Sequence, residues 1–184
     1  MQPILNYLRK QPYWYFLIRF TIFYIIGRIL FWGYIGLLYP TGKYYWPFLS
    51  DIDLIQLLRM ALSYPASWIM DLTGRESIVY NMGVVYSHSR GGIRIEFACL
   101  GIQVMIAYAA LIIAYAAPKR YLYLFGGILL IHILNVFRMV AIMQMQIHHV
   151  IKKISIAHDT FNILAYGAIL LLFYIYTKGN EQKV

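Results

Sequence analysis

Three side chains that together can catalyse acyl transfer are widely separated in the sequence: Cys99, Arg138 and His158. A thiolate can attack a carbonyl carbon, an imidazole can take and return a proton, and a guanidinium can hold the oxyanion that develops. Cys99 is the single cysteine of the chain, which excludes an intrachain disulfide and a cysteine-rich metal site. Whether the three residues could act together depends on the elements that carry them.

The composition is that of a membrane protein. Hydrophobic residues make up 61% of the 184 residues and charged residues 12%. The net charge of +9 comes from scattered Lys and Arg, a pattern that favours lipid headgroups over nucleic acid. We therefore predict a single membrane domain over residues 1–184, with membrane lipids as partners and no nucleic acid.

Apolar runs of nearly the ~20 residues that cross a bilayer predict about four spans. The predicted spans are 13–39, 97–117, 121–143 and 158–177. Together they predict an all-α, multi-pass integral-membrane bundle.

Two further segments do not fit a simple span. Residues 54–72 contain Gln56, Arg59 and Pro65, and we predict an interfacial or re-entrant helix there, with a weak span as the alternative. Residues 78–96 alternate polar and apolar side chains around a glycine pair, which predicts a short β-hairpin outside the membrane, just before the cysteine helix.

The predicted spans place the three candidate residues at one depth. A helix rises about 1.5 Å per residue. Each candidate residue therefore lies roughly 26–28 Å from the opposite end of its span, which is at the "PKR" turn (118–120) or at Lys178. The apolar core of a bilayer is about 30 Å thick, so Cys99, Arg138 and His158 are expected near the face opposite that turn.

The predicted helix ends also favour catalysis. In a first turn, free backbone N–H groups and the positive dipole end would favour a thiolate at Cys99. His158 is predicted in a first turn with Ser155 as its cap, where the dipole would keep the imidazole neutral and basic. Arg138 is a permanent charge in an apolar helix, a costly placement that indicates a functional or pairing role.

Three polar residues are predicted to support them. Asn135 shares a helix face with Arg138, and Asn162 shares one with His158. Glu96 either complements the dipole of the cysteine helix or orients His158.

Structural interpretations remain for each residue. A lone cysteine in a membrane helix usually packs as a small apolar side chain, and Arg138 could pair with Asp159 or Glu96. His132, in mid-span, is predicted to be a hydrogen-bonded core residue. The neighbouring histidines 148 and 149 diverge on a helix and have no carboxylate cluster beside them, so we predict no metal and no cofactor.

Short motifs around these residues resemble the exosortase/archaeosortase family of membrane transpeptidases. They are "E-x-A-C-x-G-I" at 96–102, "N-V-F-R-M" at 135–139 and "H-D-T-F-N" at 158–162, and the resemblance covers about 72–177. It implies a multi-pass enzyme that cleaves a C-terminal sorting signal of secreted proteins at the outer membrane face and transfers the protein to an acceptor. It also implies that Cys99 is the nucleophile, Arg138 the oxyanion stabiliser and His158 the general acid/base.

The basic residues give an orientation. Four spans with residues 40–96 outside place Arg9-Lys10, Lys119-Arg120 and Lys178 inside, which suits the positive-inside rule. Lys152-Lys153 and Arg94 would then lie outside, against that rule, and a fifth span at 54–72 would move the N-terminal tail to the Cys99 side. The prediction is a multi-pass protein of the inner (cytoplasmic) cell membrane with its active site facing outside.

The leading hypothesis is a membrane cysteine protease/transpeptidase that forms a thioester at Cys99. The alternative is a non-enzymatic membrane scaffold in which Arg19 and Arg28 pair with acids on partner helices. An enzyme acting on lipid carriers ranks last, because the good spans contain no paired carboxylates.

Overall fold

The computed structural model describes residues 12–39, 44–80, 84–87, 91–147 and 154–181. It contains five long helices, a single helical turn at Pro47–Ser50, a small sheet, and the 3-10 turn Phe97–Leu100, which we call the cysteine turn. In chain order the other elements are α1 (Pro12–Leu38), α2 (Leu54–Leu72), β1 (Ser77–Tyr80), β2 (Val84–Ser87), β3 (Gly91–Ile93), α3 (Ile102–Tyr115), α4 (Arg120–Ile147) and α5 (Ile154–Glu181).

Three described helices are long and apolar enough to cross a membrane. They are Tyr13–Leu38, Arg120–Gln146 and Phe161–Gly179, and α3 is a shorter apolar helix. Large apolar side chains are exposed on the outside of the bundle, for example Ile29 at 65% and Ile163 at 71%. Such surfaces are stable in lipid and not in water. The chain is therefore a helical membrane protein, as the composition predicts.

Helix α3 is the centre of the bundle and packs against α1, α4 and α5. Small residues allow the close approach: a Cβ at Gly27 of α1 would lie 2.7 Å from Cγ2 of Ile106. A Cβ at Gly127 of α4 would overlap the ring of Tyr108, whose hydroxyl donates to the carbonyl of Tyr123 at 2.7 Å. These contacts fix how α3 sits between its neighbours.

One end of the bundle collects the start of α1, the end of α3, the start of α4 and the end of α5. Arg19 Nη2 donates to the carbonyl of Ile113 at 3.4 Å. The hydroxyl of Tyr176 donates to the carbonyl of Ala117 at 2.9 Å. The opposite end holds the cysteine turn, where the rings of Tyr39 and Phe97 are 5.8 Å apart. We call this second end the cysteine end.

Helix α2 has both of its termini at the cysteine end. Its first amide, of Leu54, donates to the hydroxyl of Tyr34 in the last turns of α1 at 3.0 Å. At its other terminus, Gln144 Nε2 in the last turn of α4 donates to Thr73 Oγ1 at 3.1 Å. Asp53 caps the helix by accepting a hydrogen bond from the amide of Gln56 at 2.8 Å.

The sheet is an antiparallel meander in the order β1-β2-β3. Val85 pairs with Ile93 between the second and third strands. The sequence predicts a two-stranded hairpin, which corresponds to β2 and β3. The structure adds a third strand, β1, with the sequence SIVY at 77–80. It is attached to α2, because the hydroxyls of Ser67 and Ser77 are 2.6 Å apart.

The helix expected at 97–117 is broken. After the cysteine turn, Gly101 adopts a left-handed conformation with φ 70°, and α3 begins only at Ile102. Two more positive φ angles, at Ala116 (54°) and Lys119 (59°), shape the turn before α4. Since a hydropathy run records only burial in an apolar medium, it does not show where the backbone leaves the helix.

Helices α4 and α5 are longer than their apolar runs. α4 continues to Ile147, beyond the predicted 143, and α5 begins at Ile154 and not at 158. Backbone hydrogen bonds continue a helix through polar residues once it is formed, so the helix and the apolar run need not end together.

Candidate active site

The cysteine turn holds Cys99 outside any α-helix. The amide of Cys99 donates to the carbonyl of Glu96 at 2.9 Å, and the residue is half-buried. The prediction that Cys99 lies in the first turn of a continuous α-helix over 97–117 is therefore wrong. The free amides at the start of α3 belong to residues after Gly101.

Asn135 holds the cysteine turn from the side of α4. Its Nδ2 donates to the carbonyl oxygen of Cys99 at 2.7 Å, and Asn135 itself is 6% exposed. Gly101 makes room for this contact, since a Cβ there would lie 3.0 Å from the same Nδ2. A buried hydrogen bond between two helical elements fixes the position of the Cys99 backbone.

Arg138 lies one turn beyond Asn135 on the same helix. It is 8% exposed, and its guanidinium interacts electrostatically with the Cys99 thiol. A permanent positive charge in an apolar region favours negative charge nearby. The structure thus brings two of the three predicted catalytic residues together.

A small cavity joins these residues to α5. It has a volume of about 20 Å³, the space of about one water molecule, and Gly101, Asn135, Arg138 and Asn162 line its polar side. Apolar side chains of α3, α4 and α5 close the rest: Val104, Ile131, Leu134, Phe161, Leu164 and Ala165. Both asparagines expected to support the site therefore share one cavity with Arg138.

The position of His158 is given only by its helix. It lies one turn before Asn162 on α5, hence on the same helix face and about 6 Å further along the axis. Its side chain is outside the described part of the structure. Because α5 begins at Ile154, His158 lies in the second turn, and Ser155 is inside the helix and not its cap.

Glu96 forms an exposed ion pair and no cap. Its carboxylate pairs with Arg94 Nε at 3.2 Å, both side chains are largely exposed, and it makes no side-chain cap to the cysteine turn. It therefore does not cap the turn that holds Cys99.

Sequence reasoning overlooked two residues around the cysteine turn. Arg59 of α2 is 9% exposed and stacks over the ring of Phe97, with Cζ 5.1 Å from the centroid. Tyr39, just after α1, packs edge-on against the Phe97 ring, with 5.8 Å between the ring centroids. The available signal was a charge inside the otherwise apolar segment 54–72.

His132 makes its contact on α2, away from the cysteine turn. His132 Nε2 donates to the carbonyl of Ala61 at 3.2 Å, which makes it a hydrogen-bonded helix contact. Histidines 148 and 149 lie outside the described residues. Within the ranges described above, no three His, Cys, Asp or Glu side chains are placed to hold a metal ion.

Comparison with known families identifies the protein class. A family model described as transmembrane exosortase matches residues 13–175, which is most of the chain and includes α1 and α2. The chain belongs to the transmembrane exosortase family. Exosortases are generally cysteine transpeptidases that act in protein sorting. No curated protein and no solved structure matches the chain.

Proposed function

We propose that the protein is a membrane cysteine transpeptidase in which Cys99 cleaves a C-terminal sorting signal of secreted proteins. The Cys99 thiolate attacks the scissile carbonyl carbon, and Arg138 stabilises the resulting oxyanion. The C–N bond then breaks, His158 protonates the leaving amine, and the acyl group stays on sulfur as a thioester. Attack by water or another acceptor nucleophile, with His158 taking its proton, restores the thiol.

The observation that carries this proposal is the arrangement around the cysteine turn. Asn135 fixes the Cys99 backbone, and Arg138 lies within electrostatic range of its thiol in the same buried region. Asn162 lines a cavity beside Arg138, and His158 precedes Asn162 by one turn on α5, which supports a role for His158 there. The motifs that resemble the family supply the three residues now assigned to these roles.

We also propose four spans, with α2 lying across the cysteine end. The cysteine turn and α3 together are about 29 Å long, close to the apolar thickness of a bilayer, so they would complete a fourth span beside α1, α4 and α5. The two termini of α2 bond to the cysteine-end turns of α1 and α4, which supports a tilted helix that does not cross. We further propose that the cysteine end faces the outside of the cytoplasmic membrane, which the family resemblance implies and the positions of Lys119-Arg120 and Lys178 support.

The Arg19 contact weakens the scaffold alternative. Its guanidinium bonds to the carbonyl of Ile113 and stacks at 5.5 Å on the ring of Tyr15, so it is engaged within the chain.

Processing of a substrate tests the proposed chemistry. A suitable substrate is a secreted protein encoded beside this one whose C-terminus ends in a short motif, an apolar helix and basic residues. Cys99→Ala should leave that protein uncut, and Arg120→Gln, at the exposed opposite end, should process it normally. In wild-type membranes a hydroxylamine-sensitive adduct between the two proteins is expected. Normal processing by Cys99→Ala would overturn the proposal.

The oxyanion role of Arg138 predicts a separate result. Arg138→Lys keeps the charge but loses the planar fork of donors, so kcat should fall about 100-fold, within the range found for removal of one oxyanion donor. Equal rates for Arg138→Lys and wild type would mean that Arg138 acts only as a counter-charge.

Labelling of the single cysteine tests the membrane side. A membrane-impermeant maleimide should label Cys99 in intact cells as completely as in permeabilised cells. Labelling only after permeabilisation would place the site on the inner face and refute the proposed orientation.

A further inference from the structure

A second guanidinium, from α2, lies beside the cysteine turn. Arg59 of α2 is nine-tenths buried, and its Cζ lies 5.1 Å from the ring centroid of Phe97, the first residue of the cysteine turn. The turn that holds Cys99 is therefore bordered by Arg138 from α4 and by Arg59 from α2. The proposed chemistry uses only the first.

The Nε of Arg59 is buried and has no acceptor among the described residues. Three of the described acids have other partners: Asp53 caps α2, Asp71 accepts from the amide of Ser77 at 2.9 Å, and Glu96 pairs with a surface arginine. A permanently charged group without an anion in an apolar region is strongly destabilising, so a reason for its retention is required.

A second unsatisfied donor lies at the same ring. The hydroxyl of Tyr39 is buried and has no hydrogen-bond partner among the described residues. Its ring meets that of Phe97 edge-on, with 81° between the planes. The Arg59 guanidinium and the Tyr39 ring, from α2 and the end of α1, thus both contact the Phe97 ring, and each side chain has a buried donor with no acceptor among the described residues.

We propose that Arg59 and Tyr39 form a subsite that binds the carboxylate of an acidic side chain in the polypeptide held at Cys99. The inference rests on the proposed function, since it deepens the substrate recognition of that same site. A carboxylate supplies the missing charge and accepts hydrogen bonds from both donors, and a guanidinium matches its planar geometry.

The spacing fits a residue next to the scissile bond. In a 3-10 turn each residue advances about 2.0 Å, so Phe97 is roughly 4 Å along the axis from Cys99. An extended peptide advances about 3.3 Å per residue, so the acidic side chain belongs one or two residues from the attacked carbonyl.

A lipid phosphate is the less favoured occupant. Arg59 lies on the buried face of α2 together with Ile55 and Leu62. Those two apolar residues belong to the hydrophobic cluster that includes Leu100 of the cysteine turn. The exposed face of α2 carries large apolar side chains instead, such as Leu57 at 61% and Trp68 at 64%. Lipid headgroups would reach that outer surface, whereas a substrate at Cys99 would reach the inner one.

Alkylation of Cys99 in the purified, full-length, detergent-solubilised protein tests the subsite without requiring turnover. Three probes are compared as protectants against maleimide: the peptide acetyl-Ala-Asp-Ala-amide, its Asn counterpart, and glycerol 3-phosphate. We expect the Asp peptide to slow alkylation and the Asn peptide to protect about tenfold more weakly, the loss expected for one charge-assisted bond.

Two variants and a control assign the protection to the subsite. Arg59→Met and Tyr39→Phe should each lose protection by the Asp peptide, while Arg120→Gln should keep it. Arg59→Met should also raise the unfolding temperature of the ligand-free protein, because it removes a buried unpaired charge. A purely structural role, in which the stacking on Phe97 stabilises the turn, requires a lower unfolding temperature.

The proposal is overturned by equal protection from the Asp and Asn peptides, by no protection from either, or by full protection in Arg59→Met. Protection by glycerol 3-phosphate without protection by the Asp peptide would assign the site to a lipid headgroup and also overturn it. None of these results depends on processing, so a failure of the subsite is distinguishable from a failure of the transpeptidase proposal at Cys99→Ala.

Discussion

Replacing Gly101 by alanine should loosen the cysteine turn without changing the thiol. Gly101 has φ 70°, and a Cβ there would lie 3.0 Å from Nδ2 and 3.4 Å from Cγ of Asn135. The left-handed backbone costs alanine about 1–2 kcal/mol. Displacing Asn135 from the Cys99 carbonyl removes a hydrogen bond with a net value of about 0.5–1.5 kcal/mol. The expected loss of unfolding free energy is therefore roughly 1.5–3.5 kcal/mol.

The loss is measured by denaturant unfolding in mixed micelles, with processing activity measured in parallel. Gly126→Ala is the matched control, because a Cβ at that helical position meets nothing within 4 Å. Alanine there should stabilise by about 0.5–1 kcal/mol, the usual gain over glycine in a helix interior. We expect Gly101→Ala to reduce processing strongly and Gly126→Ala to leave it unchanged.

A double-mutant cycle separates the two parts of the effect. In an Asn135→Ala background no amide opposes the new Cβ, so Gly101→Ala should cost only the backbone term of about 1–2 kcal/mol. The reasoning is refuted if Gly101→Ala behaves like Gly126→Ala, or if its cost is the same in both backgrounds.

Two further substitutions test the packing that positions the site. Gly127→Ala should destabilise by about 3 kcal/mol or more, because its Cβ would overlap the Tyr108 ring. The adjacent Gly126→Ala should not destabilise the protein, and similar unfolding free energies for the two variants would contradict the packing of α3 on α4. Ser67→Ala should remove the contact to Ser77, lower stability by about 1 kcal/mol and speed proteolysis within the sheet; unchanged proteolysis would mean that α2 does not anchor β1.

The sequence predicts the helical membrane fold, and it predicts that Cys99 and Arg138, two candidate catalytic residues, lie at a similar depth, because both predictions follow from simple periodicities. Apolar runs locate the long helices to within a few residues, and α2 begins and ends at the predicted 54 and 72. The rise per residue places Cys99 and Arg138 at one depth, and Asn135 links their two helices as a supporting residue. The family that the motifs resemble is confirmed by the family model that matches residues 13–175.

What the sequence does not predict depends on backbone conformation and on packing between distant segments. The left-handed Gly101 separates the cysteine turn from α3, and no hydropathy count detects a change of sign in φ. The start of α5 at Ile154 changes the dipole argument for His158, because the helix continues through polar residues. Arg59 in the sequence argues only against a simple span; that it is buried against Phe97 depends on how α2 packs on the distant cysteine turn, which no local pattern shows.

The central claim is that α5 delivers His158 to the Cys99 thiol, and proximity cross-linking tests it most directly. Because Cys99 is the only natural cysteine, His158→Cys gives a protein with one cysteine pair, which a short bifunctional methanethiosulfonate can bridge. Ile163→Cys is the control, since that side chain is 71% exposed on another face of α5. The account predicts rapid intramolecular bridging for His158→Cys and none for Ile163→Cys. Equal bridging for both, or none for His158→Cys, would contradict it.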